Sequence, residues 1–338
     1  MTDAYARAGV DIDAGNLAVQ RYREVTGAWT HPDQLGSLGG FSGLFRLPGD
    51  PSRALVGSTD GVGTKILVAA ALQRYDSVGA DLVNHCVNDI LVTGADPLFF
   101  LDYLAVGKLD PQVAAQIVAG VHRACRENTC ALLGGETAEM PGVYRADHFD
   151  LAGTIVGIVA LDAMPDPNDV EPGDAIIGLP AVGLHTNGYT LARAVIAETE
   201  YGEAFGATTY GDALLAPHPS YLAAVRTIRA VAHVKSMAHI TGGGLLDNVP
   251  RTLPDHAAAV FESSRWDEPP LMTEIVARAA LGFDERYRTF NMGVGYTLIV
   301  AVTDVERALA AVPSARVVGF VQPRRDGEPR VIVRPRRA

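Results

Sequence analysis

Cysteine is scarce in this chain and never closely paired: 338 residues carry only Cys86, Cys125 and Cys130, with no C-x-x-C spacing. That excludes a disulfide framework or a zinc ribbon and points to reduced thiols in a cytoplasmic protein. Long apolar runs are missing as well. None approaches the roughly 18 residues of a membrane helix, and no basic start leads into a short apolar segment of the kind that directs export. Positive charge is in deficit, with 28 Lys and Arg against 39 Asp and Glu and a net charge of −11. The expectation is therefore no nucleic-acid partner and no membrane partner. A basic concentration at Arg324, Arg325, Arg330, Arg334, Arg336 and Arg337, set among prolines, reads as a solvated end without a function.

Two familiar phosphate signatures are also lacking. In their place stands Ser58-Thr59-Asp60-Gly61-Val62-Gly63-Thr64-Lys65, between the apolar runs Ala54-Leu55-Val56 and Ile66-Leu67-Val68-Ala69-Ala70-Ala71. Glycines and a lysine after a strand suggest a phosphate loop, yet a P-loop needs its lysine directly after the last glycine, and Thr64 intervenes. A dinucleotide-binding turn needs a third glycine where Ile66 stands. The acid is the unusual member. A carboxylate beside a phosphate repels it unless a cation lies between, so Asp60 is expected to meet phosphate through a metal.

The length suffices for two domains with their own cores, and 48% hydrophobic with 20% charged residues describes a soluble globular chain. Strand-like and helix-like runs alternate from Ala54 to about Leu161. Val78, Leu82, Cys86 and Ile90 recur at helical spacing, with Asp81, His85 and Asp89 on a different stripe, also four apart. Leu98 to Leu104 reads as a buried strand, Pro111 opens a helix running to about Arg126, and Cys130 to Leu133 is a strand that ends in Gly134-Gly135-Glu136-Thr137. Breaker residues from Leu161 to Asp169 mark a linker, which gives domains over 1–161 and 170–338. In the second half Ala175 to Leu179 is a strand, a helix begins near Asn187, and another follows the glycines of Thr241-Gly242-Gly243-Gly244. Glycines before a helix leave its N-terminal amides able to face an anion. The fold class is α/β (α+β), with two mixed domains.

Singly, each polar feature has a plain structural reading: a tight turn at Gly134-Gly135-Glu136, a solvated Asp89, a half-buried His185. Together, Asp60, Asp89 and Glu136 offer hard oxygens suited to Mg²⁺ bridging carboxylates to phosphates, and Lys65 with its glycine loop offers phosphate binding. The pattern is that of nucleotide chemistry without a P-loop.

Several segments then resemble the phosphoribosylformylglycinamidine cyclo-ligase (aminoimidazole ribonucleotide synthetase) family of purine synthesis: GVDIDAGN from Gly9, GGF from Gly39, DGVGTK from Asp60, Asn88-Asp89, GADP from Gly94, GGETAEMP from Gly134, HTNGY from His185, TGGG from Thr241 and RTFNMGVG from Arg288. The D-x-x-x-x-G-A-x-P spacing from Asp89 to Pro97 is common to a wider ATP-binding superfamily, whereas GVDIDAGN, GGETAEMP and RTFNMGVG are more specific. A selenophosphate synthetase would carry a reactive residue near its start, where this chain has no cysteine before Cys86. A hydrogenase-maturation relative would end in cysteine, where this chain ends Arg336-Arg337-Ala338. A formylglycinamide ribonucleotide amidotransferase shares the ATP-binding half, and a non-catalytic nucleotide-binding module would not need three carboxylates.

The resemblance implies a homodimer whose N-terminal sheets join in a barrel, with ATP and formylglycinamidine ribonucleotide bound in a cleft between domains. It implies that ATP phosphorylates the formamide oxygen and that the amidine nitrogen closes the imidazole ring, releasing ADP and phosphate. Asp60, Asp89 and Glu136 would hold Mg²⁺, and Lys65 would neutralise the transferring phosphoryl group. Gly39, Gly40, Phe41, Gly61, Gly63, Thr64 and Gly135 would line the nucleotide, with residues 35–41 closing over it. His185 would contact the formyl oxygen or move a proton. Asn187, Thr241, Gly242, Gly243, Gly244 and Asn291 would meet the substrate. One departure from the pattern is Ala181-Val182, where family members commonly carry two serines.

Overall fold

A computed structural model describes residues 8–27, 29–36 and 38–336. Ser37 of the glycine-rich segment and Arg337 of the basic end lie outside the described residues. Contacts divide the chain into two units, and the cut between Met164 and Pro165 falls inside the expected linker. That linker forms two short 3-10 turns, Leu161–Ala163 and Pro167–Asp169. The division is not a single cut, however: Tyr189–Ser220 packs with the first unit although its sequence follows the start of the second.

The first unit begins with helix α1 (Ile12–Thr26) and a six-stranded sheet built from β1 (Gln34–Leu35), β2 (Gly43–Leu47), β3 (Asp50–Gly61), β4 (Asp96–Val106), β5 (Ala131–Glu139) and β6 (Phe149–Ala160). Their lateral order is β1-β2-β3-β6-β4-β5, antiparallel except for the parallel pair β4 and β5. Helices α2 (Lys65–Leu72), α3 (Asp76–Leu91) and α4 (Pro111–Glu127) connect the strands. Asp110 caps α4, its carboxylate accepting the amides of Gln112 and Val113, while Pro111 presets the first turn. Helices α3 and α4 touch backbone to backbone, since a Cβ at Gly79 would lie 2.2 Å from the Ile117 carbonyl oxygen and one at Gly120 would lie 2.1 Å from that of Asp76. No larger residue fits at this crossing.

Strand β6 alternates strictly between buried and half-buried positions, so one sheet face is packed and the other is open. Leu101 and Tyr103 on β4 pair with Thr154 and Ala152 on the open face and are 38% and 40% exposed. The expected fully buried strand is thus a one-sided strand, because apolar residues occur on both of its faces. Strand β5 also runs further than its glycines suggest, taking Gly134, Gly135 and Glu136 into the ladder with β4 instead of ending before them.

Helix α3 is buried almost all round. Val78, Leu82, Cys86 and Ile90 supply its apolar side, and its polar side is spent on internal bonds. Lys65 Nζ, at 0% exposure, lies 2.7 Å from Asp81 Oδ2 and donates to the Ala216 carbonyl at 2.7 Å. Asp81 Oδ1 accepts the His218 amide at 2.7 Å, Asn84 Nδ2 donates to the His218 carbonyl at 2.8 Å, and Asn88 Nδ2 donates to the Pro219 carbonyl at 2.9 Å. Residues 216–219 are thereby strapped along the helix. The rest of this returning segment holds α5 (Tyr189–Val195), the small pair β8 (Ala204–Phe205) and β9 (Thr208–Thr209), and α6 (Tyr210–Leu214).

The second unit is a sheet of order β10-β12-β7-β13-β11-β14, formed by β7 (Ala175–Pro180), β10 (Val234–His239), β11 (Ala257–Glu262), β12 (Val294–Val300), β13 (Arg316–Pro323) and β14 (Val331–Arg334). Its neighbours β12 and β7 are buried along nearly their whole lengths, which is why both read as continuous apolar runs. Helices α7 (Leu222–Arg229), α8 (Gly244–Asn248), α9 (Pro270–Arg278), α10 (Phe283–Thr289) and α11 (Val305–Ala311) complete it.

Removing one member of a buried ion pair strands the other, which costs about 3–5 kcal/mol. Lys65→Met is therefore expected to lower stability by that order in urea unfolding. Lys65→Met with Asp81→Leu should recover much of the loss, short of what the His218 amide contact to Asp81 contributes.

Candidate functional site

Strand β3 carries Asp60 to its last turn of ladder, next to Gly61 and the glycine turn at Gly63, whose φ is +68°. Asp60 Oδ1 accepts the Gly61 amide at 2.6 Å, and Oδ2 lies 2.8 Å from Nε2 of His85 on α3. One helical turn on, Asp89 places its Oδ2 3.8 Å from the same nitrogen. Ser58, two residues before Asp60 and so on the same strand face, donates its hydroxyl to Asp89 Oδ2 at 3.1 Å. Two carboxylates from different elements thus meet around one imidazole. The Asp60 side chain is 40% exposed and that of Asp89 9%, so the pair opens toward solvent on the Asp60 side.

Burial acts against a charged His85, but the carboxylates of Asp60, Asp89 and Asp81 more than offset it and raise the ring to about 9. The ring stands edge-on to His218, 5.5 Å between centroids. The acids thus favour positive charge on the ring itself. Two hard carboxylates at the mouth of a glycine turn fit a divalent ion such as Mg²⁺.

The Ser58 hydroxyl also lies 3.2 Å from the Phe41 carbonyl oxygen, tying the glycine segment to the same place. A cavity of about 730 Å³ lies beside it, lined by Gly39, Gly40, Phe41, Leu44, Val56 and Ser58 among others. This apolar recess with a few convergent polar groups is of the size that accepts small ligands.

Other expected residues fall elsewhere. Lys65 does not face the loop opening, because its ammonium is enclosed in the pair with Asp81; burial lowers its pKa and raises that of Asp81, each opposed by the partner's charge. The contacts described for Lys65 are internal ones, to Asp81 and the Ala216 carbonyl. Thr64 Oγ1 is 3.2 Å from Thr190 Oγ1. Glu136 does not join the other two acids. The register runs Asp60, Gly153, Asp102, Gly135 across the sheet, so Gly135 shares the row of Asp60 three strands away and Glu136, one residue on, points to the opposite face.

In the second unit His185 has a φ of +62°, uncommon for a side-chain-bearing residue. Its Nε2 accepts the Val182 amide at 3.3 Å and lies 3.4 Å from the Tyr221 hydroxyl. Gly295 permits this packing, since a Cβ there would lie 1.8 Å from the Tyr221 hydroxyl oxygen and 2.6 Å from His185 Cε1. Asn187 is adjacent to the glycine turn, its Oδ1 3.2 Å from where a Gly242 Cβ would stand.

At that turn one amide and several carbonyls are already bonded internally. Helix α8 has five residues, the Gly244 amide donates to the Thr241 carbonyl at 3.0 Å, and Asn248 Nδ2 donates to the carbonyls of Thr241, Gly242 and Gly244. Asn291 is an internal tie, donating to the Gly183 carbonyl at 3.2 Å and accepting the Gly293 amide at 2.9 Å. Ser58 and His85 are the members that the motif reading passes over. The four-residue rhythm of Asp81, His85 and Asp89 was the signal available for His85.

Comparisons with known proteins cover most of the chain. Residues 40–159 match the model for the AIR synthase related protein N-terminal domain, and residues 171–332 match that for its C-terminal domain. A phosphoribosylformylglycinamidine cyclo-ligase of Myxococcus xanthus is 46% identical over 328 residues, covering 95% of each chain. One from Trichlorobacter lovleyi is 46% identical over 314 residues, covering 90% of each. Among solved structures, the hydrogenase maturation protein HypE in complex with ATP superposes with a TM-score of 0.61 over 97% of this chain and 92% of its own, at 17% identity; that likeness is one of fold. Among the described residues, no helix is long and apolar enough to cross a membrane.

His85 faces Asp60 from β3, Asp89 and Asp81 from its own helix and the His218 ring from the strap. Its folded pKa of about 9 exceeds the ordinary 6.5, so its stabilising contribution is complete below pH 6.5 and is lost as pH rises through 9. Urea unfolding of the metal-free protein should show stability declining across that window, and His85→Gln should flatten the decline.

Proposed function

The chain belongs to the phosphoribosylformylglycinamidine cyclo-ligase family, and we propose that it closes the imidazole ring of 5-aminoimidazole ribonucleotide from 2-formamido-N1-(5-phosphoribosyl)acetamidine at the expense of ATP. The observation that carries this reading is 46% identity across nearly the full chain, and the acid pair formed by Asp60 at the start of DGVGTK and Asp89 on α3 supports it. The amide oxygen of a formamide is a poor leaving group. Transfer of the γ-phosphoryl group of ATP to that oxygen makes it leave as phosphate when the amidine nitrogen attacks the same carbon, and ADP is the other product.

Asp60 and Asp89 hold the divalent ion that screens the triphosphate from their charge. When bound, Mg²⁺ supplies electrostatic stabilisation of the transferring phosphoryl group. Gly39, Gly40 and Phe41 line the nucleotide recess, and Gly61, Gly63 and Thr64 approach the phosphates with their backbone. His185 and Asn187, next to the Thr241–Gly244 turn, serve the formamidine substrate. The Val182 amide on His185 Nε2 favours the neutral tautomer protonated at Nδ1, which suits hydrogen bonding to a formyl oxygen. The protein works in the cytoplasm as a homodimer, in which the open face of the first sheet, with Leu101 and Tyr103, is covered by its copy in a shared barrel.

A coupled assay on the purified chain should show ADP release that requires the formylglycinamidine ribonucleotide; ATP hydrolysis indifferent to that substrate overturns the reading. Asp60→Asn and Asp89→Asn should each lower turnover by orders of magnitude while melting normally, and together by less than the product of the two. Light scattering should return twice the 35.7 kDa of one chain, and Tyr103→Asp should reduce it to a single chain; a wild-type monomer at micromolar concentration sinks the assembly.

A further inference from the structure

Asp60 and Asp89 reach the same place from different elements, one from the end of β3 and the other from the last turn of α3. His85 lies between their carboxylates, 2.8 Å from Asp60 and 3.8 Å from Asp89, and Ser58, from the strand that carries Asp60, donates to Asp89. The orientation of His85 is itself fixed. Its side chain is 4% exposed, and its ring packs edge-on to that of His218. The His218 backbone is pinned by Asp81 and Asn84 from the same helix, and its ring nitrogen lies 3.2 Å from Asn88 Nδ2. Hydrogen bonds that hold the strap on α3, and the ring contact from His218 to His85, therefore lead to the acid pair.

We infer that His85 is a positioning residue, whose Nε2–H bonds the Asp60 carboxylate and whose ring keeps that of Asp89 within ion-pair distance, so that a divalent ion meets a preassembled pair. This rests on the metal reading of those two acids. Without the imidazole the two like charges separate, and the ion must bring them back together at the cost of its own binding energy. Groups that orient metal ligands typically account for 10–100-fold in affinity. A longer amide side chain can place an N–H near the position of Nε2, whereas an aliphatic one cannot.

The test is Mn²⁺ binding, by calorimetry and by electron paramagnetic resonance, to the full chain with a non-hydrolysable ATP analogue and no second substrate. His85→Leu should weaken Mn²⁺ tenfold or more and raise the KM for metal-nucleotide in turnover, with kcat at saturating metal within a few-fold. His85→Gln should stay within threefold of wild type in binding. Asp60→Asn separates the two readings. If wild type binds Mn²⁺, Asp60→Asn does not, and His85→Leu binds as wild type does, the metal site stands and the positioning role is overturned. A His85→Gln as weak as His85→Leu overturns it too, because donor geometry would then not be what matters. Absence of Mn²⁺ binding by wild type overturns the metal reading itself, and this inference with it. Melting curves identify any variant that has lost its fold, and Ser58→Ala, removing the other link, should reproduce part of the His85→Leu effect.

Discussion

An ammonium and a carboxylate with no access to water, Lys65 and Asp81, sit where helices α2 and α3 meet the strap at 216–219. An ion pair so enclosed is a poor source of stability, since desolvating both charges offsets most of their attraction. Its effect is on specificity. Lys65 needs an acceptor and finds the Ala216 carbonyl; Asp81 needs a second donor and finds the His218 amide. A displaced strap would leave buried charge unsatisfied, so its place along α3 is fixed to within hydrogen-bond distance. The same strap carries the ring against which His85 packs, and so the structural pair and the candidate site share one helix.

The site itself follows from how a strand end and a helix face present side chains. Ser58 and Asp60 are two apart on β3 and share a face; His85 and Asp89 are four apart on α3 and share a stripe. Bringing one strand against one helix is enough to assemble all four. Glu136 is excluded by the same rule, because the pleat sends it to the other side of the sheet from the row it occupies.

In the second unit, glycines and amides serve a different end. Gly295 leaves room for Tyr221 against His185, and Asn291 ties Gly183 to Gly293, so the backbone around His185 is held in a conformation that its own φ disfavours. Polar residues that look from the motif like substrate contacts thus include some whose hydrogen bonds are already made internally. Asn291 is such a case, bonded to Gly183 and Gly293, while in the Thr241–Gly244 turn the Gly244 amide is spent on the Thr241 carbonyl.

By itself the sequence determined the class of fold, the helix opened by Pro111, and the presence of an acid in a phosphate-type loop. All of these are local: they depend on apolar period, breaker residues and caps within a few positions. The family was legible for the same reason, since its motifs are contiguous. Only the tertiary structure decided that Tyr189–Ser220 joins the first unit, that Lys65 turns inward to Asp81, that Glu136 faces away from Asp60, and that His85 stands between two acids. Each of those depends on pairing register or packing between residues tens of positions apart, and a one-residue change of register would reverse the outcome without altering the local pattern.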